Sequence, residues 1–229
     1  MKKEVIVISL GGSVIIPNNI DYNFLRKFKK IIKSHTRKYK FIINCGGGNI
    51  ARKYISALKK SGASTKLQSL SGISATRMNA RFLSHFFGKD LDRGLAHKMK
   101  TIKKFLRKQD IVFCGALEYK PEQTSDSTSA EITKVFKTKF INITNVQGLY
   151  TADPKKTKHA KFIPVISWRN FHKMAKKIKF QPGQHFVIDQ TASKIILENK
   201  ITTYIVGKDL KQLDNILNKK PFKGTTIGG

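Results

Sequence analysis

Acidic residues are scarce in this chain. It carries 14 Asp and Glu against 45 Lys and Arg, a formal charge of +31 over 229 residues. That imbalance points to anionic partners, among them nucleotides, phosphates and nucleic acid. The basic residues are mostly Lys, however, and they lie in every segment beside many Ile, Asn and Phe, the pattern of a coding sequence rich in A and T. No basic cluster is interleaved with the aromatics that stack bases, so nucleic acid is not the expected partner. Cysteine is nearly absent too. Cys45 and Cys114 each close an apolar run, FIINC and IVFC, and neither has a CxxC or Cys/His spacing. A metal module and a disulfide framework are thereby disfavoured, and both residues read as reduced thiols near strand ends. No apolar run is long enough to cross a bilayer. The opening MKKEVIVISLGGSVII puts basic residues before an apolar stretch, as an export signal does. Gly11, Gly12 and Ser13 break that stretch and β-branched residues dominate it, so it reads as a buried strand entering a tight turn. The expected location is the cytoplasm. Pro- or Ser-rich linkers, internal repeats and low-complexity segments are also missing. One domain is expected over 1–229, with an N-terminal lobe to 139 and a C-terminal lobe over 140–229.

What is present is an alternation of apolar strand-like runs with amphipathic helical patterns, the signature of a mostly parallel α/β sheet. Strands are expected at 5–10, 41–45, 111–114, 140–144 and 202–206, with a short extended piece at 163–166. Asp21 is placed to cap a helix whose Phe24, Leu25, Phe28, Ile31 and Ile32 share a face. Further helices are expected after 48 (with Ile50, Tyr54 and Leu58 inward) and at 71–87, 101–108, 127–136, 168–176, 192–199 and 209–217. A Gly-rich tail follows.

Two glycine turns follow strands: Gly11-Gly12-Ser13 after VIVISL, and Gly46-Gly47-Gly48 after FIINC. Glycine lets backbone N–H groups approach an anion closely, and a following helix N-terminus adds a favourable dipole. Neither turn has the P-loop spacing GxxxxGK[ST] or the dinucleotide spacing GxGxxG. Two such turns on adjacent strands suggest a phosphate-transfer cleft, and they are expected to face each other at the strands' carboxyl ends.

The segments VISLGGSVI, CGGGNIARKYI, SGISATRMNA, TNVQGLYTADPKK, VIDQTASKII and the closing GTTI together resemble the archaeal-type uridine monophosphate kinases of the amino-acid-kinase superfamily. The resemblance runs in order over nearly the whole chain, and TNVQGLYTADP is its most specific part. It implies an open, mostly parallel sheet between helical layers and transfer of the ATP γ-phosphoryl group to UMP. It also implies Mg²⁺ carried with the ATP, and a homohexamer, a trimer of dimers that pack through the helix bearing Ile73, Met78, Leu83, Phe86 and Phe87. Gly11, Gly12 and Ser13 then match the loop that holds the transferring phosphates. Gly47, toward UMP, and Gly48, toward ATP, match the second loop, and Arg52 an arginine that approaches the ATP phosphates. Thr144, Asn145, Tyr150 and Asp153 match the segment around the ATP base and ribose. Lys120, Pro121, Glu122, Gln123, Thr124 and Ser125 match the loop that holds UMP, with Thr124 donating its hydroxyl or backbone N–H to the acceptor phosphate and Ser69 near the ribose. Asp189 reads as a helix N-cap, an organiser of the active site, or both. Without the resemblance, Arg52 is a solvated helix charge, Tyr150 a core residue and Asp153-Pro154 a turn.

Several positions depart from the family pattern. Ser9 stands where many superfamily members place a phosphate-binding lysine, although the archaeal-type enzymes also lack it. Ser69 replaces an acidic residue, and Gln147 the Asp of TNVDG. The loop GALEYKPEQTSD is longer than GGxxPGxTTD, with Glu122 at a glycine position. The acceptor side departs further than the ATP side. This keeps open a same-fold kinase for another small phosphate or carboxylate, and a non-enzymatic basic relative that binds nucleic acid. The absence of a His-centred constellation suits phosphoryl transfer to an acceptor that is already anionic, which needs positioning and charge neutralisation rather than a general base.

Overall fold

The computed structural model describes residues 3–89, 94–121, 123–154, 157–177 and 187–229. Strand β1 (Glu4–Leu10) sits mid-sheet, parallel to β2 (Tyr39–Cys45) on one side and to β4 (Lys139–Ile143) on the other. Its alternation sends Ile6, Ile8 and Leu10 into one core layer and Val7 into the other. Strand β3 (Ile111–Cys114) extends the parallel sheet beyond β2, and β8 (Thr203–Val206) extends it beyond β4. The seven-stranded order is β3-β2-β1-β4-β8-β9-β7. β9 (Thr225–Ile227) runs antiparallel to β8 and parallel to β7 (Val165–Ile166). A separate two-stranded ribbon pairs β5 (Leu149–Tyr150) with β6 (Phe162–Ile163). The expected open, mostly parallel sheet between helices is therefore found, and the Gly-rich tail adds β9, a strand not expected from the sequence. The three-residue strand is too short to show a period. What places it is pairing with β8 and β7 together with the buried Thr225 and Ile227.

The first core layer packs α1 (Gly12–Ile15), through Val14 and Ile15, together with α2 (Tyr22–Ser34) and α9 (Leu210–Leu217) on the sheet, with Ala80 and Leu83 of α4 (Thr65–Phe86). Asp21 caps α2 by accepting from Phe24 N at 3.2 Å, as its spacing suggests. On the opposite face, α5 (Met99–Lys108) and Ile132 of α6 (Ser125–Phe136) cover β2 and β3. α6, α7 (Trp168–Lys176) and α8 (Gln190–Glu198) enclose a second cluster around Phe140, Phe171 and Ile205. Two helices differ from expectation. α4 starts at Thr65, capped by the Ser64 hydroxyl, and its first turns leave Leu67 and Leu70 exposed, so no apolar stripe marked them. α3 (Gly48–Lys60) turns Ala51 and Ile55 inward with Ile50 packed beside them, while Tyr54 is 55% exposed. On α4, Leu83 and Phe87 are core and Phe86 packs beside them, while Met78 is open.

α6, α8 and α9 end in the same way. Lys137, Lys200 and Lys219 take φ of 48°, 48° and 58°. The amides of each of these residues and of its successor close back on the preceding turn, for example Lys200 N to Leu197 O and Ile201 N to Ile196 O. This is the helix ending in which glycine is favoured, because a Cβ in the left-handed region costs about 1–2 kcal/mol. Lys137→Gly and Lys200→Gly should each stabilise the fold by about 0.5–1 kcal/mol, the relief of strain exceeding the entropy glycine loses on folding. A thermal midpoint raised by about 1–4 °C is the expected reading; an unchanged or lowered midpoint in both variants contradicts it.

Candidate active site

The carboxyl ends of β1 and β2 bring the two glycine turns into backbone contact. A Cβ on Gly12 would lie 2.0 Å from Gly48 N, and one on Gly46 would lie 2.5 Å from Gly12 N. No side chain of any kind fits there. Glycine is required at this junction by close approach, and Gly48 also has φ of +62°. The turns open into a cleft of about 800 Å³. The second turn runs into α3 with Gly47 at the N-cap and no side chain capping the helix, so its first amides are free to meet an anion. Arg52 stands one turn further on, half-buried in the cleft wall, and forms no ion pair or side-chain hydrogen bond among the described residues. Burial lowers its guanidinium from the ordinary arginine range.

Polar side chains on α4 fix the turns from behind. Asn79 Nδ2 donates to Gly46 O at 2.7 Å. Thr76 Oγ1 accepts from Ala116 N at 2.9 Å, and Arg77 donates to Ala116 O at 3.2 Å and to Leu117 O. These residues were not singled out individually in the sequence, although polar groups on the inward face of SGISATRMNA were a usable signal.

The floor of the cleft is built by Asp189. Buried to 2% exposure, it caps α8 by accepting from Ala192 N at 2.8 Å. It also reaches across to α6, accepting from Ser127 N at 3.1 Å, Ser127 Oγ at 2.7 Å and Thr124 Oγ1 at 2.5 Å. Asp189 is thus both cap and organiser. Thr124 lines the cleft, but its hydroxyl proton goes to Asp189 while its oxygen accepts from Asp126 N at 3.0 Å. The hydroxyl is thus engaged within the protein, and the Thr124 amide donates to Ser127 Oγ at 3.3 Å. Asp126 faces the same floor. Ser9 Oγ donates to it at 2.9 Å, so the serine standing at the lysine position of the superfamily supports a carboxylate instead. Burial pushes the Asp126 carboxyl up to about 7, with the neighbouring Asp189 adding and the Ser9 hydroxyl opposing.

Of the residues nominated from sequence, Gly11, Gly12, Ser13, Gly47, Gly48, Arg52, Ser69, Lys120, Gln123, Thr124, Ser125, Thr144, Asn145, Tyr150, Asp153 and Asp189 all line this one cleft. Pro121 does not; it is exposed beside it. Glu122 lies outside the described residues. Lys120 pairs with Glu131 at 2.7 Å, which also accepts from Gln123. Tyr150 is held edge-to-face on Phe162 at 5.4 Å. The turn before it rests on Thr225 of the closing GTTI, whose hydroxyl accepts from Leu149 N at 2.8 Å. Tyr119, Met174 and Lys177 also line the cleft and carried no recognisable spacing.

The electrostatics run against the chain as a whole. Among the described lining residues, Arg52, Lys120 and Lys177 face Glu118, Asp126, Asp153 and Asp189, so four of the 14 acids gather here. No described histidine lines the cleft, and no described group of three or more acidic, His or Cys residues could hold a metal alone. Backbone amides, an unpaired guanidinium and carboxylates without a general base suit the handling of phosphates with a divalent cation.

Comparison with known proteins agrees with this chemistry. Residues 4–207 match the profile of the amino acid kinase family. The chain is 35% identical to the uridylate kinase of Thermoplasma volcanium, covering 98% of this chain and 97% of that one. It is 32% identical to that of Pyrococcus abyssi, covering 97% and 98%. The crystal structure of uridylate kinase from Archaeoglobus fulgidus superimposes with a TM-score of 0.81 at 30% identity, over 97% of this chain and 99% of that one. UMP kinase from Ureaplasma parvum gives 0.79 at 25% identity over the full length of both.

The raised Asp126 carboxyl makes a signed prediction for the metal-free protein. Between the ordinary carboxylate value of 3.8 and about 7, the folded protein keeps a proton that the unfolded chain has lost. The stability this group contributes therefore falls as pH rises through that window. Asp126→Asn removes the titration and keeps the shape. Urea unfolding at pH 5 and pH 8 should show the variant gaining on the wild type toward pH 8; a difference independent of pH contradicts the assignment.

Proposed function

Because this chain belongs to the amino acid kinase family, we propose that its cleft transfers the γ-phosphoryl group of ATP to UMP, giving UDP for pyrimidine nucleotide synthesis in the cytoplasm. The relatives named uridylate kinase supply the acceptor. The observation that carries the reading is the contact between Gly12 and Gly48. It sets two amide-lined turns side by side with no side chain between them, so two phosphates can meet in line. In this reading Gly11, Gly12 and Ser13 hold the phosphoryl group in transit. Gly48 and Arg52 neutralise charge on the ATP side, and Gly47 serves the acceptor. The segment from Thr144 to Asp153 in the C-terminal lobe receives the adenosine, with the Tyr150 ring beside it. Ser69, Lys120, Gln123 and Ser125 border the UMP, and Thr124 acts through Asp189 by shaping the N-terminus of α6.

The carboxylates of the cleft fit Mg²⁺ carried on the ATP. Two polyanions entering beside four carboxylates need a counter-charge that three cationic side chains do not supply. Asp126 is the residue suited to share that ion, since Asp189 is filled by its protein donors. When bound, the ion draws charge off the transferring phosphoryl oxygens. The acceptor is a phosphate oxygen, so no side chain has to remove a proton.

An acceptor screen with ATP and Mg²⁺ over UMP, CMP, dTMP and small carboxylic acids, read by ³¹P NMR, tests this reading. UMP should be the preferred acceptor. Arg52→Ala should lower kcat/KM for ATP about 10- to 100-fold, the loss of a charge-assisted contact of about 1.5–3 kcal/mol. Transfer to a carboxylic acid with none to UMP would keep the family and remove the acceptor.

We also propose a homohexamer assembled from dimers. Tyr54, Leu67, Leu70 and Met78 are 38–65% exposed and lie on α3 and α4, more apolar surface than one helix pair usually leaves open. Sedimentation should show the hexamer, and Met78→Glu should shift it toward smaller species; a monomer at micromolar concentration contradicts the assembly.

A further inference from the structure

A second cavity, of about 290 Å³, opens at the end of the sheet opposite the cleft. Its walls carry three aromatic rings. Tyr39 is fixed by its hydroxyl, which donates to Leu217 O at 2.9 Å, and Phe222 stands edge-to-face on Tyr204 at 5.5 Å. The slot is therefore formed before anything enters it. Tyr204 has no hydrogen-bond partner among the described residues, so its hydroxyl is free to meet a ligand. Strand register brings Glu4 opposite Tyr39 and Lys139 opposite Ile6 at the rim, with Lys139 and Glu4 3.9 Å apart. Lys219 and Lys220 follow α9 at the mouth, exposed and in no ion pair among the described residues. Three cations thus surround the opening against one carboxylate.

We propose that this cavity binds a nucleoside phosphate, with the base in the aromatic slot and the phosphates on Lys219 and Lys220. The volume, about 290 Å³, is just under the range of ligand pockets, about 300–1,000 Å³. It admits a base and part of a sugar and leaves the phosphates outside, where the lysines are. Flat rings take a base by stacking, and unpaired ammonium groups take phosphate oxygens by charge-assisted hydrogen bonds. An apolar ligand would leave the lysines idle, and inorganic phosphate would leave the rings idle. The site is separate from the cleft and does not rest on the kinase reading, since its loss would leave phosphoryl transfer intact.

Titration calorimetry of the full chain with UTP tests it. A site in this cavity is expected whether or not the cleft also takes UTP. The double variant Lys219→Glu, Lys220→Glu should weaken it at least about tenfold, with any binding in the cleft and kcat/KM for ATP at wild-type values. Phe222→Leu keeps an apolar wall without a ring and should weaken the same site several-fold. Inorganic triphosphate should bind there at least about tenfold more weakly than UTP. UTP binding that is indifferent to both variants overturns the proposal, as does a variant-sensitive site filled equally well by inorganic triphosphate.

Discussion

A single buried carboxylate joins the two helices that floor the cleft. Asp189 accepts from Ala192 N in α8 and from Ser127 N in α6, so one carboxylate serves the first turns of two helices far apart in the sequence, capping α8 itself and backing the Thr124 cap of α6. Each helix presents the positive end of its dipole to the floor, and the two hydroxyls of Thr124 and Ser127 complete the carboxylate's shell. Burying a charge is tolerable only with such a full set of donors. Removing the carboxylate would leave several donors unpaired at once, each costing about 1–3 kcal/mol. The cleft's shape therefore follows from this junction more than from the loops that rim it.

A row of polar side chains across the sheet supports the same junction. Register sets Asn44, Ser9 and Asn142 side by side on β2, β1 and β4, in strands that are otherwise apolar. Asn44 donates to Ser125 O at 2.6 Å and Ser129 Oγ at 2.8 Å, Ser9 donates to Asp126, and Asn142 donates to Val187 O at 2.5 Å. Three adjacent strands thus tie down the start of α6 and the segment leading to Asp189. A polar row in a core specifies one arrangement because any shift leaves a group unpaired. Within this row Ser9 serves Asp126 on the floor of the cleft.

Much of this was legible in the sequence because local signals and global fold agree. Val5 to Leu10 followed by two glycines reads as strand and turn, and the Gly12–Gly48 contact gives the physical reason for glycine at both places. Asp21 and Asp189 cap helices at the positions their spacing suggests. Other features were not legible. β9 depends on partners far away in sequence, and no period can announce a strand of three residues. The dual engagement of Thr124 could not be read either, because it depends on a residue 65 positions away. α4 was read short because its first turns bury almost nothing, and α3 was rotated because small Ala51, rather than Tyr54, meets α4. The scarcity of acid was visible at once, but its concentration in the cleft needed the fold.

The double role of Asp189 can be observed directly by native-state hydrogen exchange at the Ser127 and Ala192 amides. In the wild type both should exchange slowly. In Asp189→Ala both should lose protection together, because one carboxylate holds the two helix starts. Loss at Ala192 alone, with Ser127 still protected, would show that α6 is held independently and that the cleft floor has no common anchor.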